Sequence, residues 1–329
     1  MQERYLLFFF GFLPFIAASQ ITGSVYSAKD SVALQGVSVY FDGTSLGTVS
    51  DSQGNFRLEN SAATVPLVIS YLGYKHVLIK DLQKGQILRP IYLEEATEQL
   101  AAVFIEPDTW SREKKLQVFK REFFGYTAEA AKCRIKNPEV LELRYSPSRK
   151  ILTAYSREPL QIINRHLGYE ITYSLDSFEA LYDQGNSGLT YVQMVTYQGT
   201  SFFRNLHDTP GKKYLKNRRI SYHGSSLHFM RALAKKQLEE NGFEIYFDRF
   251  KTAPYKHFKI EQDEELTAIE LLAEKISILY SGILQSGLQA TSPFHIDHLG
   301  NNNPPLAVLF SGEMSEQRIA HLLPLDYWP

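Results

Sequence analysis

Three places in the chain hold side chains that could do chemistry. Cys133 is the only thiol among 329 residues, and a cysteine becomes a nucleophile once a histidine or a helix end lowers its pKa. Lys132 and Arg134 give one favourable charge on each side, but spacing assigns it no histidine partner. Free cysteines are usually core residues, so Cys133 reads as a buried, inert thiol. His223 and His228 bracket Gly224-Ser225-Ser226-Leu227, and Arg231 follows His228 by three positions, which puts the two on one helix face. A histidine and an arginine at a helix start could hold an anionic group, so Tyr222, His223, His228 and Arg231 form the candidate binding set. The plainer reading is that His228 caps or packs locally, because the helix needs polar residues opposite its apolar stripe. Third, His295-Ile296-Asp297-His298 offers possible metal ligands at His295, Asp297 and His298. On a strand His295 and Asp297 share a face and His298 points away, whereas on a loop all three could converge. Pro293, Gly300, Asn301 to Asn303, Pro304 and Pro305 argue for a loop. Short histidine loops seldom bind metal, so no metal is assigned.

No other reactive set is assembled. The sequence has no Gly-x-Ser-x-Gly elbow and no Gly-x-x-x-x-Gly-Lys phosphate loop. No cofactor is expected and no catalytic residue is named.

The elements around these residues fall into two zones. From Ile21 onward, short strands are expected at Ile21–Tyr26, Val37–Phe41, Asn55–Glu59, Val65–Tyr71, His76–Lys80 and Ile91–Glu94. Turn chemistry separates them at Asp42-Gly43-Thr44, Leu46-Gly47-Thr48 and Asp51-Ser52-Gln53-Gly54. Many short strands with such spacing favour an antiparallel sandwich. Glu106-Pro107-Asp108 marks its exit, and Leu116, Phe119 and Phe123 then predict an amphipathic helix within Trp110 to Phe124. Strands are expected at Val140–Tyr145 and Ile151–Tyr155, and the remainder mixes helices with strands.

Two later segments look alike. Pro159 at a first turn, a stripe of Leu160, Ile163 and Leu167, and Gly168 as terminator predict a helix running into a strand at Tyr169–Tyr173. Ser226 as cap, a stripe from Leu227 to Leu238, and Asn241-Gly242 as stop predict another, running into Phe243–Phe247. A duplicated helix-strand unit and the ordinary look of a helix-to-strand junction explain the likeness equally well.

The front residues resemble the carboxypeptidase regulatory-like domain, a small transthyretin-like sandwich common in envelope proteins of Bacteroidetes. The resemblance rests on Gly23, Val25, Leu34, Gly36, Val37 and Val39, on Gly43-Thr44 and Gly47-Thr48, on Asp51, Gly54, Asn55, Phe56 and Leu58, and on Ser70, Tyr71, Gly73 and Tyr74. Ala33 departs from it where the family often has proline. The resemblance implies an accessory domain, of a kind that also precedes TonB-dependent receptor barrels and is generally not catalytic. A zinc carboxypeptidase would need His-x-x-Glu, and none of the nine histidines has Glu at that spacing. The later part is similar to the downstream region of Bacteroidetes proteins carrying the same front domain. That similarity rests on Phe123-Phe124-Gly125, Leu167-Gly168-Tyr169, Tyr222-x-Gly224-Ser225 and Leu323-Pro324-Leu325-Asp326-Tyr327 among others. It implies a shared fold and no activity.

The expected organisation is a signal peptide at 1–19, a β-sandwich at 20–105 and an α+β domain at 106–329. The fold class is thus two-domain, an all-β transthyretin-like antiparallel sandwich followed by an α+β domain. The signal reading comes from Arg4, the apolar run Tyr5–Ile16 and the small residues Ala17 and Ser19. After Gln20 no long apolar stretch recurs, so no transmembrane segment is expected in the mature chain. With 35 Lys and Arg against 36 Asp and Glu, nothing electrostatic favours nucleic acid. One cysteine allows no internal disulfide, leaving stability to the core. The location expected is the periplasm or the outer-membrane surface. The leading functional expectation is a non-catalytic envelope module that binds another envelope protein or glycan. Its alternatives are a hydrolase acting on peptide or glycan material with its site in the second domain, and a carbohydrate-binding module.

Overall fold

The computed structural model describes residues 20–59, 64–83, 85–96, 106–184, 190–263 and 266–329. The expected signal segment, 1–19, lies outside them. Strand accounts for 44% of the described residues and helix for 16%, so the two-domain, sandwich-then-α+β class holds, with sheet dominant in both parts.

In the front part, β1 (Gln20–Ser27), β2 (Ser38–Phe41), β3 (Gly47–Val49), β4 (Asn55–Glu59), β5 (Leu67–Ser70), β6 (Val77–Ile79) and β7 (Ile91–Leu93) build two sheets, ordered β4-β1-β7 and β3-β2-β5-β6. Strand alternation fills the space between them with Ile21, Val25, Val39, Phe41, Phe56, Leu58, Leu67 and Ile69. The residues of opposite parity, Ser38, Tyr40 and Ser70, point to the outer face of the four-stranded sheet. Strand β3 differs from expectation. Leu46-Gly47-Thr48 is not a second turn; Gly47 and Thr48 pair with Tyr40 and Val39, because the reversal is completed by Asp42 to Leu46 before them.

The next part opens with α1 (Arg112–Phe124), capped by the Ser111 hydroxyl, which accepts the Lys114 N–H. It lies on a sheet made of β8 (Cys133–Ile135), β9 (Leu141–Ser146), β10 (Ile151–Ser156), β11 (Leu160–Asn164), β12 (Tyr169–Gln184) and β13 (Thr190–Asn205). Phe119 and Phe123 stack on one another at 5.0 Å and meet Phe178 and Tyr173 edge-on. Strand β12 is the sheet's spine, pairing with β11 and β10 along one side and with β13 along the other.

The helix expected over 159–167 is instead β11. Leu160, Ile162 and Asn164 are buried alternately with Gln161 and Ile163, and Ile162 and Ile163 are β-branched. Gly168 is a terminator as expected, but of a hairpin turn, at φ +73° and packed under the Tyr214 ring. The duplicated helix-strand unit is therefore absent.

Beyond α2 (Lys212–Tyr222) and α3 (Ser226–Ala234), strands β14 (Phe243–Phe247), β15 (Phe250–Lys251), β16 (Phe258–Gln262), β17 (Leu266–Leu271), β18 (Ile276–Tyr280), β19 (Leu284–Ala290), β20 (Phe294–Asp297), β21 (Asn302–Asn303) and β22 (Val308–Gly312) form two further sheets, followed by α4 (Glu313–Glu316). Their orders are β15-β14-β18-β19-β22 and β16-β17-β20-β21. They enclose a separate core of Phe243, Ile245, Ile276, Ile278, Leu288, Phe294 and Ile296, into which α3 sends Phe229, Met230 and Leu233. Residues 106–329 thus contain two hydrophobic centres.

The parts are stapled together. The Gly43 N–H donates to Ser201 O at 2.8 Å, Phe203 N–H to Thr44 O at 3.0 Å and Leu325 N–H to Gly43 O at 2.7 Å. Glu122, wholly buried, receives Arg121, Arg318 and the Tyr126 hydroxyl, and so ties α1 to the C-terminal segment. Among the described residues no helix is long and apolar enough to cross a membrane.

Candidate functional site

The chain brings Tyr222, His223, His228 and Arg231 together. Ser225, one residue before the expected cap Ser226, accepts the His228 N–H and starts α3. The His228 ring lies 4.8 Å from Tyr222 and 5.4 Å from His223. His228 is buried; Nδ1 accepts the Gly224 N–H at 3.2 Å and Nε2 meets Asn241 Oδ1 at 3.1 Å. That pairing fixes the neutral tautomer with its proton on Nε2, and burial lowers the pKa. The Arg231 guanidinium donates to Leu299 O at 2.8 Å, Tyr327 O at 2.8 Å and Leu325 O at 2.7 Å, and lies 3.8 Å from the Trp328 ring. Three carbonyl dipoles of the chain itself stand where an anion was expected, and His223 alone of the four is exposed.

The other two places stay apart from this cluster chemically. Residues 294–297 are strand β20, not loop. His295 and His298 are exposed, while Asp297 is buried and accepts the Leu299 and Asn301 N–H groups at 2.9 Å each. Asp297 therefore shapes the turn that carries Leu299 to Arg231. Among the described residues no group of three acidic, histidine or cysteine side chains could hold a metal. Cys133 is half-buried at the start of β8, and burial pushes its pKa up to about 12, so the thiolate is disfavoured.

A broad concavity lies elsewhere, between the outer face of the β3-β2-β5-β6 sheet and the β11–β13 face of the second sheet. It encloses about 650 Å³ and is lined by Ser38, Tyr40, Thr48, Ser70, Gln161 and Phe202 among others. A further 260 Å³ lobe continues it past Tyr71, Leu72 and Pro159 to Tyr74, His76, Tyr155 and Asp176. Tyr40 and Phe202 form its floor, with rings stacked at 5.0 Å. Phe202 can approach because Gly47 has no Cβ, which would sit 2.7 Å from that ring. Leu72 at 66% and Val49 at 61% exposure are large apolar side chains on the rim. Arg204 and Lys136 bracket Glu170 at one end, at 3.1 and 3.4 Å. Sequence reading missed this cleft because its walls come from two separate stretches, within residues 36–72 and 137–204; the signal available was the run of hydroxyls and aromatics at outward strand positions.

A second polar group was also missed. Ser221 Oγ lies 3.0 Å from His321 Nδ1, and His321 Nε2 is 3.1 Å from Thr127 Oγ1 and 3.9 Å from a Glu129 carboxylate oxygen. Ser221 and His321 border a 290 Å³ pocket beside the N-terminus of α3. Ser221 itself is only 2% exposed.

Residues 21–105 match the CarboxypepD_reg-like domain family. A stretch of 77 residues is 34% identical to a TonB-dependent receptor, P3, of Formosa agariphila, covering 22% of this chain and 8% of that receptor's length. Among solved structures, a cohesin–X-dockerin complex from Acetivibrio cellulolyticus aligns at 20% identity over 23% of this chain and 56% of its own, with a TM-score of 0.21. A DUF3823 family protein from Parabacteroides merdae aligns at 9% identity over 80% and 92%, with a TM-score of 0.17. Scores this low carry nothing about ligand or fold.

Proposed function

We propose that the protein is a non-catalytic binding or accessory module of the bacterial cell envelope that holds a segment of another envelope component, protein or glycan, in the cleft between its front sandwich and its second domain. The observation that carries this reading is the cleft itself. It is open, walled by two rigid sheets, and offers stacked rings beside Ser38, Thr48 and Ser70, side chains suited to hydrogen-bond a neutral chain. The match of residues 21–105 to an accessory domain family supports it. Secretion, a periplasmic or outer-membrane-associated location and the Bacteroidetes source belong to the same proposal.

A second reading, a hydrolase of peptide or glycan material, is favoured by the Ser221–His321 contact. A serine whose proton can pass to an adjacent imidazole is the minimum for acyl transfer.

One experiment serves both. The full chain is used as bait for detergent-solubilised envelope and for a glycan array, beside Ser70→Arg, which fills the cleft, and Ile283→Ser, a change at a distant exposed site. A ligand lost with Ser70→Arg and kept with Ile283→Ser is the expected result. A ligand kept by both moves the site off the cleft, and no ligand at all defeats the binding reading. Covalent labelling by a fluorophosphonate, abolished by Ser221→Ala, would establish the second reading instead.

A further inference from the structure

Between Asp208 and Glu239 the chain carries eight lysines and arginines and no carboxylate, within a sequence whose net charge is −1. This segment is α2, α3 and the turns around them. Two of its cations face inward: Arg218 donates to Leu167 O and Gly168 O, and Arg231 to the three carbonyls already described. The other six, Lys212, Lys213, Lys216, Arg219, Lys235 and Lys236, are exposed. Among the described residues none of these six takes part in an ion pair, whereas elsewhere Lys75, Arg157, Arg204 and Lys251 each face a carboxylate. Like charges gathered without a counter-charge repel one another, and an anionic surface removes that cost.

Helical spacing fixes which way the α2 side chains point. Asn217, Arg218 and Ser221 hold its inner side through His166 O, Leu167 O and His321 Nδ1, which leaves Lys212, Leu215, Lys216, Arg219 and Ile220 on the outer side. Leu215 and Ile220 are 49% and 59% exposed there. Trp328, 50% exposed, continues this surface toward α3. Its ring lies 4.9 Å from Lys235 Nζ, and the ring of the neighbouring Tyr327 is 6.0 Å from that of Tyr222 at the end of α2.

We propose that this face rests on an anionic lipid bilayer, with the six cations at the headgroup phosphates and Leu215, Ile220 and Trp328 in the interfacial layer. The occupant follows from the mixture of side chains. A cationic cluster of this size is drawn to an anionic leaflet by about 1 kcal/mol per cation near the surface, and the interfacial zone takes up tryptophan and aliphatic side chains together with charge. A nucleic-acid backbone would meet the cations and leave the aliphatic side chains without a partner. An acidic protein would have to receive three separated apolar side chains in pockets matched one by one, whereas a fluid bilayer needs no such matching. The contact gives the envelope location a physical basis and is independent of what the cleft holds.

Flotation of the full chain with phosphatidylcholine vesicles, with and without about 30% phosphatidylglycerol, tests this. The protein is expected to float with the anionic vesicles alone, and to bind them more weakly at about 0.5 M salt. Lys216→Glu combined with Arg219→Glu should lower partitioning at least about tenfold, and Leu215→Ser combined with Ile220→Ser should lower it several-fold at unchanged net charge. Arg89→Glu with Arg149→Glu makes the same change of charge outside this segment and should lower it less. All six altered positions are exposed, which lets the variants fold. A chain that does not float with anionic vesicles at about 50 mM salt overturns the proposal. So does flotation that the Arg89 and Arg149 pair lowers as far as the α2 pair does, or that the two serines leave unchanged, or binding to duplex DNA or an acidic protein in place of vesicles.

Discussion

Asp42 lies in the turn after β2, and burial pushes its carboxyl up from 3.8 to about 6, with the charge of Asp176 pushing the same way. A carboxyl raised on folding makes the charged form a burden of the native state. The burden is largest above pH 6 and lifts as pH falls through about 6 toward about 4, so this group alone makes the protein more stable at pH 5 than at pH 7.5. The full difference is about 2–3 kcal/mol. Asp42→Asn keeps an acceptor for the Ser201 N–H, so it should raise stability at pH 7.5 and flatten the pH dependence between 5 and 7.5 in urea titrations. At this scale the sequence was informative about proximity and silent about use. His228 and Arg231 were legible as neighbours because three residues along a helix bring side chains together. That Arg231 is occupied by carbonyls of Leu299, Leu325 and Tyr327 depends on the folding back of a segment almost a hundred residues downstream, and no local spacing encodes it.

Elements were legible where one period stood alone. Strand β4 alternates exposed and buried over Asn55–Glu59 and was readable to the residue. Residues 160–164 satisfy a period of two through Leu160 and Ile162 and a helical one through Leu160, Ile163 and Leu167. The tie was broken by β8 and β12, which offered hydrogen bonds on both sides. Gly168 then turns the hairpin, and Arg218 caps it by donating to Leu167 O at 2.8 Å while lying 3.7 Å from the Tyr169 ring. Gly168→Ala would combine a positive φ with a Cβ 2.6 Å from the Tyr214 ring. We expect a loss of about 2 kcal/mol, read as a lower thermal midpoint with unchanged secondary structure.

At the scale of the whole molecule, the front sandwich was legible because its turns, glycines and alternation agree over one continuous stretch. Its docking was not, because Ser45 meets Asp326 across 281 residues of sequence. The Asp326 carboxylate accepts the Ser45 N–H at 2.8 Å and also its hydroxyl. Asp326→Ala should leave both cores intact and weaken the junction by about 1–2 kcal/mol, measured as faster amide exchange confined to Gly43–Ser45 and Leu325.

The same staple determines how the molecule carries force. Residues 43–45 and 325–326 are bonded directly, so tension applied between the front of the sandwich and the C-terminal segment runs through these few contacts and bypasses the sheets between them. Only after the staple parts does load reach the intervening strands. The junction acts as a mechanical fuse, and the cleft stays closed until the bonds of Gly43 and Thr44 to Ser201 and Phe203 part as well.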